Sequence, residues 1–357
     1  MRILFIVRSL GYGGASKQLV LTAEALAERG HEVYVYSYNA DHSDLQFSKV
    51  VFIPERNMEK SSLKEYISSP IRIRKQIKRL NPDIVISWRA NAGCFCTLAC
   101  LGLKVKHVFS ERTDPYMETN LLLKVATKIC DYADNGVFQT EGAKHYYKRL
   151  DKSRSTVIPN PIIFNNEVKL VPYNERRNEI AFVGRCFLKQ KRQDIMLKAF
   201  KIVLETHPEM HLKFYGGDFD IEKIKCMVSD MGLQEYVTFT GPVNDVLNKI
   251  KYARVLALSS DYEGIPNVLL EAMSVGVPVV STDTSPGGVR VVVNDGENGY
   301  IVPRGDYKKL AEKILMVLNK KDIAEKFIQN GFANIKRFNP ELIFEQWNRY
   351  LNGIVKK

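Results

Sequence analysis

Two carboxylates eight positions apart, Glu263 and Glu271, lie in the run Asp261-Tyr-Glu-Gly-Ile-Pro-Asn-Val-Leu-Leu-Glu-Ala-Met-Ser-Val-Gly-Val-Pro-Val-Val-Ser. Gly264 and Pro266 are loop and helix-start residues, so Glu263 is predicted just before a helix and Glu271 inside it. Gly276-Val-Pro278 ends that helix, and Val277 to Ser281 reads as a buried strand. Both acids then face one crevice. Amides at a helix start favour anionic ligands, and a carboxylate part-way along the helix accepts hydrogen bonds from a vicinal diol such as ribose. That combination suits a nucleotide sugar. The plainer alternative is a solvated Glu263 and a Glu271 that bonds only to neighbouring backbone.

This E-x7-E, followed by Ala272-Met273 and Gly276-Val-Pro278, resembles the glycosyl transferases group 1 family of retaining glycosyltransferases with the GT-B fold. The resemblance implies an α/β protein of two Rossmann-like domains facing each other across a cleft. It implies transfer of a sugar from a nucleoside-diphosphate sugar, expected to be a UDP-sugar, to a hydroxyl of a glycan or lipid-linked saccharide in cell-surface polysaccharide biosynthesis. Carried over residue by residue, Glu271 holds the ribose and Glu263 contacts hydroxyls of the donor sugar. The amides of Gly264, Ile265 and Asn267 approach the phosphates. Ile265-Pro266 departs from the family's usual Phe-Gly, and proline has no amide proton to give.

Within the same resemblance, Val183-Gly184-Arg185 closes a strand and Lys191-Arg-Gln-Asp194 opens a helix, matching the family's Gly-Arg and Lys-Gly-x-Asp elements. Arg185 and Lys191 are thereby assigned to the diphosphate, whose departing charge must be neutralised as the anomeric carbon becomes cationic. The loop is a residue longer than the common form and Arg192 replaces a glycine, which leaves Lys189 and Arg192 open as partners. Cations are unfavourable at a helix start, which favours a ligand role over a merely solvated one. Gly13 and Gly14, in Gly11-Tyr-Gly-Gly-Ala15, would bring backbone to the donor phosphates from the first domain, although a plain strand-to-helix turn fits as well. Ser16 in the third-glycine place, and no acid ending the second strand, argue against a dinucleotide-binding dehydrogenase. In Ser110-Glu111-Arg112, Glu111 stands where many relatives carry His or Asp, and is the candidate to orient or deprotonate the acceptor hydroxyl; a surface salt bridge is the alternative. Gly287-Gly288 resembles the family's Gly-Gly loop, with Val291 where a Glu is usual.

Asp218-Phe-Asp220 spells the D-x-D of metal-dependent glycosyltransferases. The Arg and Lys above already supply that charge, so no metal and no cofactor are expected. Two rivals remain: a sugar-nucleotide epimerase or phosphorylase on the same fold, and a silent sugar-nucleotide-binding partner.

These residues need elements to hold them. Strand-like runs alternate with amphipathic helical stretches. Ile3–Val7, Glu32–Tyr38, Asp83–Ser87, His107–Ser110, Gly136–Gln139 and Thr156–Ile158 are the predicted strands of a first half. Ile180–Val183, Leu212–Tyr215, Val237–Thr240, Val255–Leu258, Val277–Ser281 and Gly299–Val302 are those of a second. Pro159-Asn-Pro161 leads into a polar segment through Arg177 that reads as a linker. The expected organisation is 1–163 for an acceptor-binding domain, 164–338 for a nucleotide-sugar-binding domain, and 339–357 for a helix that, in the resembled fold, crosses back to the first domain. Its apolar positions are Leu342, Ile343, Trp347, Leu351 and Ile354.

At 357 residues and 45% hydrophobic content the chain supports two full cores. The net charge is +12, with +8 of it lying up to Asn160, which suits phosphate-bearing partners. No common nucleic-acid module is present, and nucleic acid is not an expected partner. Pro70 to Leu80 reads as a basic amphipathic helix, either a solvated face or a contact for an anionic membrane surface. The opening apolar run stops at Arg8 and reads as a strand, not a secretory signal. Six cysteines without paired spacing fit a reduced cytoplasm, and Cys94, Cys96 and Cys100 read as helix packing, not a metal trio. The expected location is cytoplasmic, with the inner face of the membrane as the site of any peripheral contact.

Overall fold

A computed structural model describes residues 1–11, 14–39, 46–55, 63–117, 120–150, 154–164, 169–217 and 219–355. In chain order the first elements are β1 (Arg2–Val7), α1 (Gly14–Glu28), β2 (Glu32–Ser37), β3 (Val51–Pro54), α2 (Leu63–Leu80), β4 (Ile84–Trp88), α3 (Ala90–Cys100), β5 (Lys106–Ser110), α4 (Leu121–Cys130), β6 (Asn135–Phe138), α5 (Glu141–Tyr146) and β7 (Ser155–Val157). There follow β8 (Arg177–Val183), α6 (Leu188–Lys191), α7 (Gln193–Thr206), β9 (His211–Tyr215), α8 (Ile221–Asp230), β10 (Val237–Gly241), α9 (Val246–Ile250), β11 (Ala253–Leu258), α10 (Asn267–Ser274), β12 (Val279–Thr282), α11 (Gly288–Val292), β13 (Tyr300–Val302), α12 (Tyr307–Asn319), α13 (Lys321–Asn334) and α14 (Pro340–Val355).

The chain divides into two compact units, Met1–Pro161 with Pro340–Lys357, and Ile162–Asn339. Unit 1 carries a seven-stranded sheet in the order β3-β2-β1-β4-β5-β6-β7, and unit 2 a six-stranded one in the order β10-β9-β8-β11-β12-β13. Every pair of neighbouring strands in these sheets is parallel. Parallel strands covered on both faces read as near-continuous apolar runs, and β1, β4 and β11 do so, interrupted only by Arg2, Ser87 and Arg254, because nearly every residue in them is buried. In each sheet the order reverses beside the first strand, between β1 and β4 and between β8 and β11. Ligands bind α/β sheets at the carboxyl ends of strands flanking such a reversal.

One face of the unit 1 sheet packs α2, α3 and α4 through Ile73, Ile77, Phe95, Cys96, Ala126 and Cys130. The cysteine trio is part of this packing: burial pushes the Cys94 thiol up to about 11 and that of Cys100 to about 12, holding both neutral. The other face packs α1 and α14, whose Ile343, Trp347, Leu351 and Ile354 join Ile3, Phe5, Leu19 and Ile86. Of the predicted apolar positions in this last helix, Leu342 faces solvent and Phe344 is buried in its place.

Three elements differ from the sequence expectation. β3 is an added edge strand of four residues ending on Pro54, too short to show alternation. α2 begins seven residues before Pro70 and carries that proline inside it. The segment read as a linker is folded onto unit 2 where it is described. There Tyr173 is buried and donates to the Val317 carbonyl at 2.9 Å, and the buried Arg176 guanidinium donates to the carbonyls of Val171, Lys251, Ala253 and Gly276. A charged residue in a polar run gives no sequence sign of being such an internal brace.

Candidate active site

The convergence in unit 2 lies at the carboxyl ends of β8, β11 and β12, the strands at the reversal of order. After β8 the chain passes Gly184 and Arg185 into the single turn of α6, which ends on Lys191. Arg192 then takes a left-handed conformation, φ +50°, and redirects the chain into α7. The bend is held by side chains. Arg192 makes a bidentate pair with Asp194, 3.0 Å through Nε and 3.0 Å through Nη2, and reaches Asp261 at 2.9 Å through Nη1. The hydrogen bonds to Asp194 are the largest cause of a raised Arg192 pKa. Arg192 therefore shapes the loop, its guanidinium held by two carboxylates.

The bend presents Lys191 to Glu263. Lys191 Nζ lies 2.5 Å from Glu263 Oε1, and both side chains are nearly buried. Ser260 Oγ donates to the same carboxylate oxygen at 2.8 Å, and Gln190 Nε2 donates to the Tyr262 carbonyl at 3.1 Å. Ser259 Oγ lies 2.8 Å from the carbonyls of both Lys191 and Arg192. The two loops are further joined by Asp261 N donating to the Gln190 carbonyl at 2.9 Å. Burying a charged pair is tolerated only when such hydrogen bonds complete its coordination.

Glu263 N also donates to the Ser285 carbonyl at 2.9 Å, bringing in the loop after β12. There Gly287 has φ +94°, and a Cβ built on Gly288 would fall 1.5 Å from the Gly264 carbonyl oxygen. Only glycine fits. Ile265 is buried, Pro266 precedes α10, and six of that helix's eight residues are buried. The two that are not are Asn267 and Glu271. Four positions apart, they share one side of the helix, and Glu271 is half-buried. Arg185 is exposed beside this convergence, its carbonyl accepting from buried Gln193 Nε2 at 2.8 Å.

Lys191, Glu263, Gly264 and the Gly287-Gly288 loop thus come together, with Arg185 and Glu271 on the elements that frame them. Sequence reasoning missed Gln190, Ser259, Ser260 and Asp261. The available signal was a pair of serines directly after the apolar run of β11. Of the D-x-D acids, Asp218 lies outside the described residues. Asp220 accepts from Leu188 N at 3.0 Å and from Lys223 Nζ at 3.1 Å.

In unit 1, Gly13 lies outside the described residues, and Gly14 opens α1 at the end of β1, where Trp88 Nε1 donates to the Ala15 carbonyl at 2.9 Å. Glu111 differs from expectation. It is 1% exposed; Oε1 accepts from Arg112 N, Thr113 N and Thr113 Oγ1, and Oε2 accepts from Tyr147 OH at 2.5 Å. A carboxylate so enclosed holds its loop and is not presented to an acceptor hydroxyl, nor does it form a surface salt bridge. Beside it, the buried Arg112 guanidinium lies 4.3 Å from the Trp88 ring centroid and 5.2 Å from that of Trp347. Burial lowers its pKa to about 9.

Residues 165–333 match the family described as glycosyl transferases group 1, and residues 12–164 match glycosyltransferase family 4. The chain is 25% identical over 355 residues to an uncharacterized glycosyltransferase of Haemophilus influenzae, covering 98% of this chain and 99% of the relative. It is 28% identical to a Campylobacter jejuni α-1,4-N-acetyl-D-galactosaminyltransferase that acts on a GalNAc-containing diphospho-undecaprenol, with 97% of each chain covered. Among solved structures, Anabaena HepE in complex with UDP and glucose superposes with a TM-score of 0.82 at 18% identity, over 98% of this chain and 99% of that one. That likeness shows the fold, GT-B.

Proposed function

The chain belongs to the glycosyl transferases group 1 family and is a glycosyltransferase, and from that premise we propose that unit 2 binds a nucleoside-diphosphate sugar, a UDP-sugar foremost, and transfers its sugar with retention. The observation that carries this reading is the Lys191–Glu263 pair at the end of β8 and β11. Lys191, with Arg185, neutralises the diphosphate as the bond from the anomeric carbon to its oxygen breaks. Glu263 holds Lys191 in place and accepts from hydroxyls of the sugar, while Glu271 accepts from the ribose diol. The acceptor oxygen bonds to the anomeric carbon and its proton leaves with the departing diphosphate. Neither step requires a metal. The acceptor is a hydroxyl of a glycan or lipid-linked saccharide in cell-surface polysaccharide assembly, received by unit 1 at an anionic membrane surface.

The test begins with a panel of nucleotide sugars in thermal-shift assays, followed by transfer assays with lipid-linked and free glycan acceptors. Binding without transfer to any acceptor favours a silent binding protein and defeats this reading. For the ribose contact, Glu271→Ala is expected to weaken the preferred nucleotide about tenfold, the size of one hydrogen bond to a charged group. The wild type is expected to discriminate against the 2′-deoxynucleotide, and the variant is not. Equal discrimination by both proteins removes Glu271 from the ribose.

A further inference from the structure

Half of the large apolar side chains that stand exposed among the described residues belong to three neighbouring helices of unit 1 and their ends. α2, α3 and α4 pack side by side on one face of the sheet, their inward residues forming one cluster. Arg74 of α2 ties this layer together by donating to the carbonyls of Ala99 and Leu101 at the end of α3. The outward side is the unusual one. α2 exposes Ile67 and Ile71, 64% and 66% accessible, on the row that continues into Lys75, Lys78 and Arg79. Leu98 and Leu101 stand out from the end of α3, followed by exposed Lys104 and Lys106. α4 exposes Leu121 (74%), Leu122 and Val125 beside Lys124 and Lys128. Asp131, at the end of α4, is turned to the backbone amides of Arg149 and Leu150.

We propose that this outward face of α2, α3 and α4 is a membrane-docking surface, its leucines and isoleucines entering the headgroup region of an anionic phospholipid bilayer while the flanking lysines and arginines meet lipid phosphates. Apolar residues flanked by bases that outnumber the acids beside them are complementary to such a surface. An acceptor-protein face or a self-association face would gain from acids to pair with these cations, and Asp131, at the end of α4, is already engaged by backbone amides. No helix among the described residues is long and apolar enough to cross a membrane, so the contact is peripheral. The inference rests on the reading that unit 1 works at a membrane; it adds which residues make the contact, and α3 and α4 were not legible as part of it.

The test is cosedimentation of the full chain with vesicles of phosphatidylglycerol and phosphatidylethanolamine, against phosphatidylcholine vesicles, at low and high salt. The wild type is expected to bind the anionic vesicles at least about tenfold more tightly, with the preference falling as salt rises. Leu121→Asp/Leu122→Asp, exposed positions that leave the core intact, is expected to lose most of that binding while keeping the wild-type melting temperature and nucleotide affinity. Equal binding to neutral vesicles, or full binding by the double variant, overturns the assignment. So does sedimentation equilibrium showing a dimer that the double substitution dissociates while vesicle binding stays unchanged. Nucleotide affinity and transfer to a soluble acceptor are read separately, so loss of this surface does not decide the transferase reading.

Discussion

Lys191→Ala is expected to lower turnover on the order of 10²-fold at saturating donor, the cost of removing one preorganised group that stabilises developing charge. The same substitution strands Glu263, whose carboxylate is nearly buried and would lose its cation at 2.5 Å. Leaving a buried charge unpaired typically costs about 3–5 kcal/mol, so stability falls too. The two effects separate in the double variant Lys191→Ala/Glu263→Gln. A neutral amide needs no cation, and Ser260 Oγ, which sits 2.8 Å from Oε1, can still bond to it. The double variant is expected to regain most of the lost melting temperature and none of the lost rate. Recovery of rate along with melting temperature assigns Lys191 a purely structural part.

Gly288→Ala is the second large effect. Its added methyl group would fall 1.5 Å from the Gly264 carbonyl oxygen and 3.2 Å from Ile265 Cα. Both obstacles are backbone, so no side-chain rotation relieves them, and the loops after β11 and β12 must part. The expected cost is about 3 kcal/mol or more, equivalent to a fall of about 6 °C or more in melting temperature. Nucleotide binding is expected to be lost with it, because Glu263 N donates to Ser285 O across the same seam at 2.9 Å. Gly353→Ala is the control: it lies in α14 with open space at its Cβ, and it is expected to be neutral or stabilising by up to about 1 kcal/mol. A melting temperature for Gly288→Ala equal to that of the control contradicts the packing described.

The strands with near-continuous apolar runs were legible in the sequence because burial on both faces leaves that trace: Asp83–Ser87 and Val255–Leu258 were expected, and Ile84–Trp88 and Ala253–Leu258 are found. β3 was not, being four residues at an edge. The early start of α2 was hidden because a proline usually marks a helix N-terminus, and Pro70 is interior instead. At the site, Glu263 and Glu271 stood out by type and spacing and Lys191 by the family resemblance, whereas the residues that hold them came together only in three dimensions. Arg192 and Asp261 are 69 positions apart, and no local pattern joins them. Glu111 shows the converse: its position after β5 pointed to chemistry, but the Thr113 and Tyr147 bonds that consume its carboxylate come from the fold.

The central claim is that cations carried by unit 2 grip the diphosphate of an activated sugar. Isothermal titration of the preferred nucleoside diphosphate and of its monophosphate, in the wild type and in Arg185→Ala and Lys191→Ala, tests it most directly. The wild type is expected to bind the diphosphate at least about tenfold more tightly, since a charge-assisted contact to the second phosphate adds about 1.5–3 kcal/mol. Each variant is expected to bring the two affinities close together. A diphosphate preference that survives unchanged in both variants would contradict the account.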